Sequence, residues 1–157
     1  MTDITIRRAT ADDLQAIVDM LADDPLGATR ESPADLAPYL AAFEAMDANP
    51  HQLQLVAELD GMVIGTAQLS FMPGLSHRGM LRAEIEAVRV HANARGGGLG
   101  STLITRCIDE ARDRGCGMIQ LTSNASRTDA RRFYERLGFT ASHIGFKMSL
   151  AAGAEAN

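Results

Sequence analysis

The sequence has no tryptophan, a single lysine (Lys147) and no apolar run long enough to cross a bilayer. Its formal net charge is −5 at pH 7, so we do not expect the extended basic face that nucleic-acid binding needs. Residues 1–10 are polar and alternating, unlike a secretory signal. Together these absences favour a cytoplasmic protein whose partners are neither membranes nor nucleic acids.

Potential disulfide partners and metal ligands are also scarce. The two cysteines, Cys107 and Cys116, lack C-x-x-C spacing and are expected to be reduced thiols that fill the core. The histidines are scattered without the spacing of a metal site, at His51, His77, His91 and His143. The sequence therefore predicts a fold that depends on neither a disulfide nor a metal ion.

The remaining composition is that of a globular protein. Apolar residues make up 46% of the chain and charged residues 22%. A chain of 157 residues has the length of one domain that buries most of its surface. We expect a single domain over residues 1–150 and a disordered tail over residues 151–157, because the tail has nothing to bury.

Hydrophobic periodicity predicts the element order β-α-α-β-β-β-α-β-α-β. Alternation predicts strands at residues 3–8, 52–59, 62–71, 81–90, 117–123 and 139–149. Helical spacing predicts helices that begin after Thr10, at Ser32-Pro33 and at about residue 99, and a last helix that is capped by Thr128 or Ser126. Hairpin strands followed by crossover helices are typical of a mixed α/β fold, with a mainly antiparallel central sheet and helices on both faces.

A glycine-rich segment, residues 95–101 (RGGGLGS), lies between a predicted strand and a predicted helix. Glycine lets the backbone turn sharply, and the first turn of a helix offers unpaired N–H groups to a pyrophosphate. A Walker loop is disfavoured because Gly100, and not lysine, precedes Ser101. A Rossmann fingerprint is disfavoured because the segment lies late in the chain and residues 115–121 contain no acid. The R-x-x-G-x-G pattern of acyl-coenzyme A enzymes and a plain glycine-rich turn remain.

Two ordered signatures carry a family resemblance: Arg95-x-x-Gly98-x-Gly100, and an A-x-x-F-Y-x-x-x-G-F pattern that begins at Ala130. With them the chain resembles the GNAT superfamily of N-acetyltransferases from its first strand to about Leu150, and residues 84–90 (EIEAVRV) resemble that family's splayed fourth strand. The resemblance implies a GNAT-like acyl-CoA N-acyltransferase fold, acetyl-CoA (coenzyme A) as cofactor and commonly a homodimer. A looser likeness, carried by residues 123–134 and 142–143, is to aminoalkylphosphonate N-acetyltransferases.

Amine acetylation requires a general base. An amine with a pKa of about 10.4 is neutral in only about one molecule in 2,500 at pH 7, and only the neutral form attacks. Glu84 and Glu86 are two residues apart on one predicted strand, so both point to the same face. The resemblance favours Glu84 as the base, with Glu86 second, acting directly or through water. The alternative is that both are structural carboxylates paired with Arg82 or Arg89.

The resemblance implies the remaining roles. A backbone N–H near Val88 would face the thioester carbonyl, and residues 88–90 would pair with the pantetheine arm. Tyr134 would protonate the leaving thiolate; the alternative is that it only packs against Phe133. The expected cofactor-binding residues are Val88, Arg89, Val90, Arg95, Gly96, Gly97, Gly98, Leu99, Gly100, Ser101, Asn124 and Arg127. Arg127 stands where many family members carry asparagine.

Several arginines and loop residues are candidates for binding the acceptor, the amine that receives the acetyl group. Arg78, Arg127 and Arg132 could bind an anionic group bidentately. The candidate substrate contacts are Arg30, His77, Arg78 and Ser142. We therefore expect transfer of acetyl from acetyl-CoA to the primary amine of a small molecule, by direct attack in a ternary complex. A protein or peptide N-acetyltransferase and a non-catalytic coenzyme A-binding sensor are the alternatives.

Overall fold

The computed structural model describes residues 3–151. The chain forms two compact units, one ending at Leu121 and the other beginning at Thr122. Within residues 3–151, no helix is both long and apolar enough to cross a membrane. The expected disordered tail, residues 151–157, lies outside the described residues except for Ala151.

The first unit alternates short helices with the strands of one sheet. Its strands are β1 (Thr5–Arg8), β2 (Gln52–Leu59), β3 (Met62–Met72), β4 (Arg82–Val90) and β5 (Met118–Leu121). Its helices are α1 (Leu14–Ala22), α2 (Gly27–Arg30), α3 (Ala37–Asp47), the single turn α4 (Ser76–Gly79) and α5 (Leu99–Asp113). Short 3-10 turns precede α1 at Ala11–Asp13 and follow β4 at Ala92–Ala94.

The strands form one sheet in the order β1-β2-β3-β4-β5. The first three pairings are antiparallel, whereas β4 and β5 pair in parallel. Because neighbouring residues of a strand face opposite sides, Val56 packs with α1 and α3 while Ala57 packs with α5. The predicted mixed, mainly antiparallel sheet with helices on both faces is confirmed.

Helix α5 packs against β3 at a glycine. A Cβ added at Gly65 would lie 2.9 Å from Leu103 Cδ1 and 3.2 Å from Leu99 Cδ2. Leu103 is fully buried, and Leu99 is 3% exposed. The absence of a side chain at Gly65 therefore lets the first turns of α5 approach the sheet closely, which fixes where that helix begins.

Two local predictions are confirmed. Asp60 and Gly61 have φ values of 50° and 79°, the left-handed pair that a two-residue hairpin turn requires. At the start of the first helical segment, the Thr10 N–H donates to Asp13 Oδ2 at 2.8 Å, as a capping box predicts.

The predicted start of the second helix at Ser32-Pro33 is wrong. Helix α3 begins at Ala37, whose N–H donates to Asp35 Oδ1 at 3.1 Å. The Ser32 N–H instead donates to the Tyr39 hydroxyl at 2.9 Å, so Ser32 lies in the connection that follows α2. Asp35 and Pro38 provide a helix-start signal of the same kind as Ser32 and Pro33, a few residues later in the chain.

The second unit contains helix α6 (Thr128–Arg136). Arg127 precedes its first residue, so the predicted cap at Ser126 or Thr128 is wrong. Ser126 Oγ instead donates to Asn124 Oδ1 at 2.6 Å, which closes a turn before the helix. On α6 the Tyr134 ring meets Phe133 edge-to-face, with centroids 5.1 Å apart, and Phe139 at 5.9 Å.

The predicted strand at residues 139–149 is also wrong. Residues 139–150 contain no strand, helix or turn element. Their sequence alternates as a strand should, but alternation specifies only which face would be buried. A strand also needs a neighbour to bond its N–H and C=O groups, and sequence pattern does not supply one.

Candidate active site

The glycine segment forms an exposed loop that leads directly into α5. Gly96 and Gly98 adopt φ values of 84° and 82°, a left-handed conformation that only glycine takes without strain. The first backbone bond of the helix is donated by the Thr102 N–H to Gly98 O at 3.1 Å. The N–H groups of residues 99–101 precede that bond and point along the helix axis toward the loop, where they can bind an anion.

Two arginines flank this loop, and both are held by carboxylates at the end of α1. Arg95 Nη2 lies 3.2 Å from Asp23 Oδ2, and Arg95 Nε donates to Val90 O at 3.1 Å. Arg89 Nε lies 3.2 Å from Asp24 Oδ2, although this buried Nε makes no hydrogen bond. The pKa of Asp24 is lowered, chiefly by the Gly27 N–H that donates to it and also by the Arg89 charge. Each of these two guanidinium groups is thus paired with one carboxylate.

Strand β4 carries a bulge just before this loop. Gln68 pairs with Glu86 and Thr66 pairs with Arg89, so one residue of β3 faces two of β4. Within the bulge Ala87 has a φ of 50°, a left-handed conformation that costs an L-residue about 1 kcal/mol or more. Pairing of β4 with β5 ends at Ile85 and Leu121. Residues 86–90 therefore extend beyond β5, as a splayed strand would.

A row of polar side chains crosses the sheet on the face of Val56. The cross-strand partners are Gln52 on β2, Ser70 on β3, Glu84 on β4 and Gln120 on β5. Ser70 Oγ donates to Gln52 Oε1 at 3.1 Å, and Gln120 Nε2 donates to Glu84 Oε2 at 2.7 Å. All four are partly exposed. The Glu84 carboxylate therefore lies within a row of polar side chains on this face of the sheet and is held there by Gln120.

A second polar row runs beside the first. It contains Gln54, Gln68 and Glu86, which are register partners across β2, β3 and β4. Glu86 is exposed and points to the same face as Glu84. Sequence reasoning named only the two glutamates of these rows. The missed signal was a polar residue at matching register on each strand, which requires knowledge of strand pairing.

The predicted substrate contacts of the first unit lie in exposed connections. Arg30, at the end of α2, forms an ion pair with Glu31 at 3.1 Å, and Tyr39 OH donates to Glu31 Oε2 at 3.0 Å. His77 and Arg78, in the α4 turn before β4, have φ values of 51° and 61° and are exposed. These left-handed residues hold the connection in a strained turn that begins β4.

The other predicted residues lie in the second unit. Asn124 Oδ1 accepts from the Ser126 N–H at 3.0 Å, and Asn124 O accepts from the Arg127 N–H at 2.9 Å. Both residues thus belong to the turn before α6, the helix that carries Tyr134. Ser142 Oγ lies 2.7 Å from His143 Nδ1 in the segment after that helix.

Metal-ligating side chains do not cluster in the part of the chain that the structure describes. Within residues 3–151, no three His, Cys, Asp or Glu side chains are grouped closely enough to hold a metal ion. Cys107 and Cys116 are free thiols, and burial raises the pKa of the Cys107 thiol to about 12.

Comparison with known proteins assigns the family. The chain matches the acetyltransferase (GNAT) family model over residues 14–139. An aminoalkylphosphonate N-acetyltransferase of Salmonella typhimurium is 28% identical over 145 residues, which is 92% of this chain and 90% of that protein. An L-amino acid N-acyltransferase of Escherichia coli is 34% identical over 100 residues, 64% of this chain and 56% of that protein.

Comparison with solved structures also finds proteins of similar fold. A solved structure described as a transcriptional regulator from Bacillus halodurans has a TM-score of 0.90 and 45% identity, over 94% of this chain and all of that one. The family match includes the bulged strand, the glycine loop and all of α6. The chain therefore belongs to the acetyltransferase (GNAT) family and is an acyltransferase enzyme.

Proposed function

We propose that the protein transfers the acetyl group of acetyl-CoA to the primary amine of a small molecule, by direct attack in a ternary complex. The observation that carries the proposal is one continuous segment, residues 84–101. It contains two glutamates on a polar sheet face, a bulged strand end and a glycine loop that opens a helix. These three features would supply a base, an oxyanion donor and a pyrophosphate cradle.

Coenzyme A would bind through its pyrophosphate at the start of α5. The backbone of Gly96, Gly97 and Gly98 leaves the loop open, and the N–H groups of Leu99, Gly100 and Ser101 would donate to phosphate oxygens. Leu99 is 3% exposed, so only its backbone would take part. Arg95 and Arg89 would add charge, with Asn124 and Arg127 as further contacts.

The pantetheine arm would lie along the end of β4. Residues 88–90 continue past the end of β5, and an extended arm can add to such an open strand as a further strand would. Helix α5 packs on one face of the sheet, whereas Glu84 lies on the other. The thioester would therefore reach the amine where β4 continues past its pairing with β5.

The chemical step would use three groups in sequence. Glu84, or Glu86 directly or through a water, would take a proton from the ammonium so that the amine nitrogen can attack the thioester carbonyl carbon. The Val88 N–H would bond the developing oxyanion, a contribution of about 10²–10³ in rate for one such donor. The oxyanion would then collapse and the C–S bond would break, with the Tyr134 hydroxyl giving its proton to the departing thiolate. The attacking nitrogen would lose its second proton to the resulting phenolate, directly or through water, which leaves the neutral amide and restores Tyr134.

The acceptor would lie over the polar rows. Amide and hydroxyl groups at Gln52, Gln68 and Ser70 suit a small polar amine better than an apolar one. The two named relatives act on aminoalkylphosphonates and L-amino acids, which are amines that carry an anionic group. Arg30, His77, Arg78 and Ser142 are the proposed contacts to that group.

Three further expectations concern the domain organisation, the location and the oligomeric state of the protein. We take residues 1–150 as one functional domain, although the chain folds as two compact units. We infer a cytoplasmic location, since both thiols, Cys107 and Cys116, are unpaired. We also expect a homodimer, as is common in the family.

The deciding experiment is a panel of acceptors incubated with acetyl-CoA, with the acetylated product identified by mass spectrometry. Aminoalkylphosphonates and L-amino acids should have a higher kcat/KM than polyamines, aminoglycosides or peptides. Glu84→Gln should lower kcat by about 10²-fold or more, and Tyr134→Phe should lower it with little change in coenzyme A affinity. Glu110→Gln, on the outer part of α5 and paired with Arg106, is the matched control and should retain activity. Acetylation of peptides at the highest kcat/KM would contradict the small-amine proposal.

A regulatory role is a second candidate, because the Bacillus halodurans relative is described as a transcriptional regulator. In that case coenzyme A or its acetyl form would be a signal and turnover would be incidental. The same panel separates the two candidates. Tight binding of acetyl-CoA by calorimetry, with no product from any amine and no effect of Glu84→Gln, would favour the regulatory role.

A further inference from the structure

Strand β4 carries a cation beside the two glutamates proposed as bases. Arg82 is the first residue of β4, and Glu84 and Glu86 follow at every second position, so the three side chains share one face of the sheet. Glu84 accepts from Gln120 Nε2 at 2.7 Å and forms no ion pair with Arg82. The purely structural pairing of Glu84 with Arg82 is therefore not the one that the fold adopts.

Two other arginines on this face are neutralised by carboxylates. Arg7 Nη1 lies 2.8 Å from Asp13 Oδ2, and Arg89 Nε lies 3.2 Å from Asp24 Oδ2. Within residues 3–151, by contrast, no carboxylate forms an ion pair with Arg82. Because a guanidinium stays charged at neutral pH, the charge of Arg82 is available to an anion from outside the protein.

The neighbours of Arg82 leave most of its donors unused. Its cross-strand partners are Met72 on β3 and Met118 on β5, whose side chains carry no charge. Arg82 Nη1 donates to Gln120 Oε1 at 3.5 Å, which is long for an N–H···O bond. A guanidinium has five N–H donors, and Arg82 is partly exposed, so it can bind a carboxylate or phosphonate through two parallel hydrogen bonds.

We propose that Arg82 determines acceptor specificity by binding the anionic group of a zwitterionic amine. The inference rests on the proposed function and adds a residue to it. The ammonium of the acceptor lies at Glu84 or Glu86, and its anionic group lies at Arg82. Two residues of a strand span about 6.6 Å, so the opposite charges on this face match the two ends of a short zwitterion. An acceptor with an apolar tail leaves Arg82 unpaired, and one with a cationic tail is repelled.

The position of Arg82 along β4 also sets the direction in which the acceptor binds. Arg82 begins the strand, whereas the bulge at Ala87 and the glycine loop lie toward the other end. An anionic group at Arg82 is therefore held away from the proposed pyrophosphate site, and the amine is directed toward the proposed thioester site. The backbone of Arg82 is fixed by strand pairing, unlike that of Arg78, which lies in the exposed turn before β4.

Two acceptors that differ in their tails test the role of Arg82. The kcat/KM of aminoethylphosphonate is compared with that of propylamine, which has a similar length and no anionic group. Arg82→Gln should lower the ratio of these two values about 10- to 100-fold, the effect of one lost charge-assisted interaction. Arg82→Lys should lower the ratio less, because lysine keeps the charge and loses only the bidentate geometry. Arg106→Gln, on α5 and paired with Glu110, is the matched control and should leave the ratio unchanged.

Charge reversal gives the opposite readout. Arg82→Glu should prefer diaminopropane, whose tail is a second ammonium, to aminoethylphosphonate. A ratio that stays the same in every Arg82 variant would overturn the inference, because a residue that acts only through Gln120 would affect all acceptors equally. Calorimetric binding of acetyl-CoA reports whether each variant is folded. A wild-type protein that binds acetyl-CoA but acetylates no amine would contradict the proposed function and this inference with it, whereas activity with an unmoved ratio would contradict this inference alone.

Discussion

Arg95 and Asp23 form an ion pair, with Nη2 and Oδ2 3.2 Å apart, that joins the glycine loop to the end of α1. The Arg95 side chain is 54% exposed, so the pair is accessible to solvent and to ligand. Arg95 is also the cation expected at the pyrophosphate of coenzyme A. A bound pyrophosphate and Asp23 would therefore compete for the same guanidinium.

Removing the Asp23 charge should strengthen coenzyme A binding. An exposed ion pair contributes about 0.2–1 kcal/mol, so Asp23→Asn should lower the Kd for coenzyme A about two- to fivefold, most clearly at low salt. Arg95→Ala should raise the Kd about tenfold, because it removes a charge-assisted contact to phosphate. Isothermal titration calorimetry measures both, with Asp19→Asn on the same helix as control. A weaker complex for Asp23→Asn would mean that the pair orients Arg95 for binding.

The left-handed residue at the start of α5 should not tolerate a side chain. Gly98 has a φ of 82°, so Gly98→Ala should cost about 1–2 kcal/mol of unfolding free energy and raise the Kd for coenzyme A about tenfold or more. Gly74→Ala is the control, because a Cβ there meets nothing within 4 Å and its φ is not positive. Denaturant unfolding and calorimetry measure the two effects. Equal results for both variants would contradict the proposed role of the loop.

The bond from Gln120 to Glu84 should matter for turnover and not for cofactor binding. Gln120 Nε2 donates to Glu84 Oε2 at 2.7 Å and so orients the proposed base. Gln120→Leu should lower kcat about tenfold, since a mispositioned base transfers protons poorly, and should leave the Kd for coenzyme A unchanged. Gln15→Leu on α1 is the control. An unchanged kcat for Gln120→Leu would indicate that Glu86 or water is the base.

Low pH should reduce the stability that Asp13 contributes just before α1. Asp13 is 6% exposed, and its carboxylate accepts hydrogen bonds from Arg7 Nη1 at 2.8 Å and from Arg7 Nη2 at 3.0 Å. These bonds lower the pKa of Asp13. A carboxyl whose pKa is lower in the folded state stabilises the fold above its unfolded pKa near 4 and loses that contribution as the pH falls through the folded value. Asp13→Asn should therefore lower the free energy of unfolding by about 1.5–3 kcal/mol at pH 7. The difference in this free energy between the variant and the wild type should shrink below about pH 4. Urea unfolding between pH 3 and 7 measures this, with Asp12→Asn as control.

The two thiols should differ in reactivity. Cys107 is fully buried with a pKa of about 12, so about one molecule in ten thousand carries its thiolate at pH 8. Cys116 is half-buried, and burial raises its pKa as well. Alkylation at pH 8 should modify Cys116 first and Cys107 only on unfolding, as peptide mass spectrometry would record. Rapid modification of both would contradict the buried position of Cys107.

Sequence reasoning identified the strands, the hairpin turn and the glycine loop because each depends on neighbours within a few residues. The periodicity of β2 and the Asp60-Gly61 pair are signals of this local kind. The partnership of Glu84 with Gln120 depends on two strands 36 residues apart that pair in parallel, and no local pattern encodes that register. The predicted strand at residues 139–149 is wrong for the same reason. Its alternation is a local pattern, whereas the presence of a neighbouring strand that would pair with it is not.

The extra residue in β4 determines which way the later side chains point. Without it, Glu84, Glu86 and Val88 would face one side and Arg89 the other; with it, Arg89 shares the face of Glu86, as its pairing with Thr66 requires. That reversal brings the guanidinium to Asp24 and turns Val90 toward α5. Deleting Ala87 would restore regular pairing and leave Arg89 and Val90 on their present faces, because β4 has one residue more than β3 at the bulge. One inserted residue thus places both glutamates and Arg89 on the same side of a single strand.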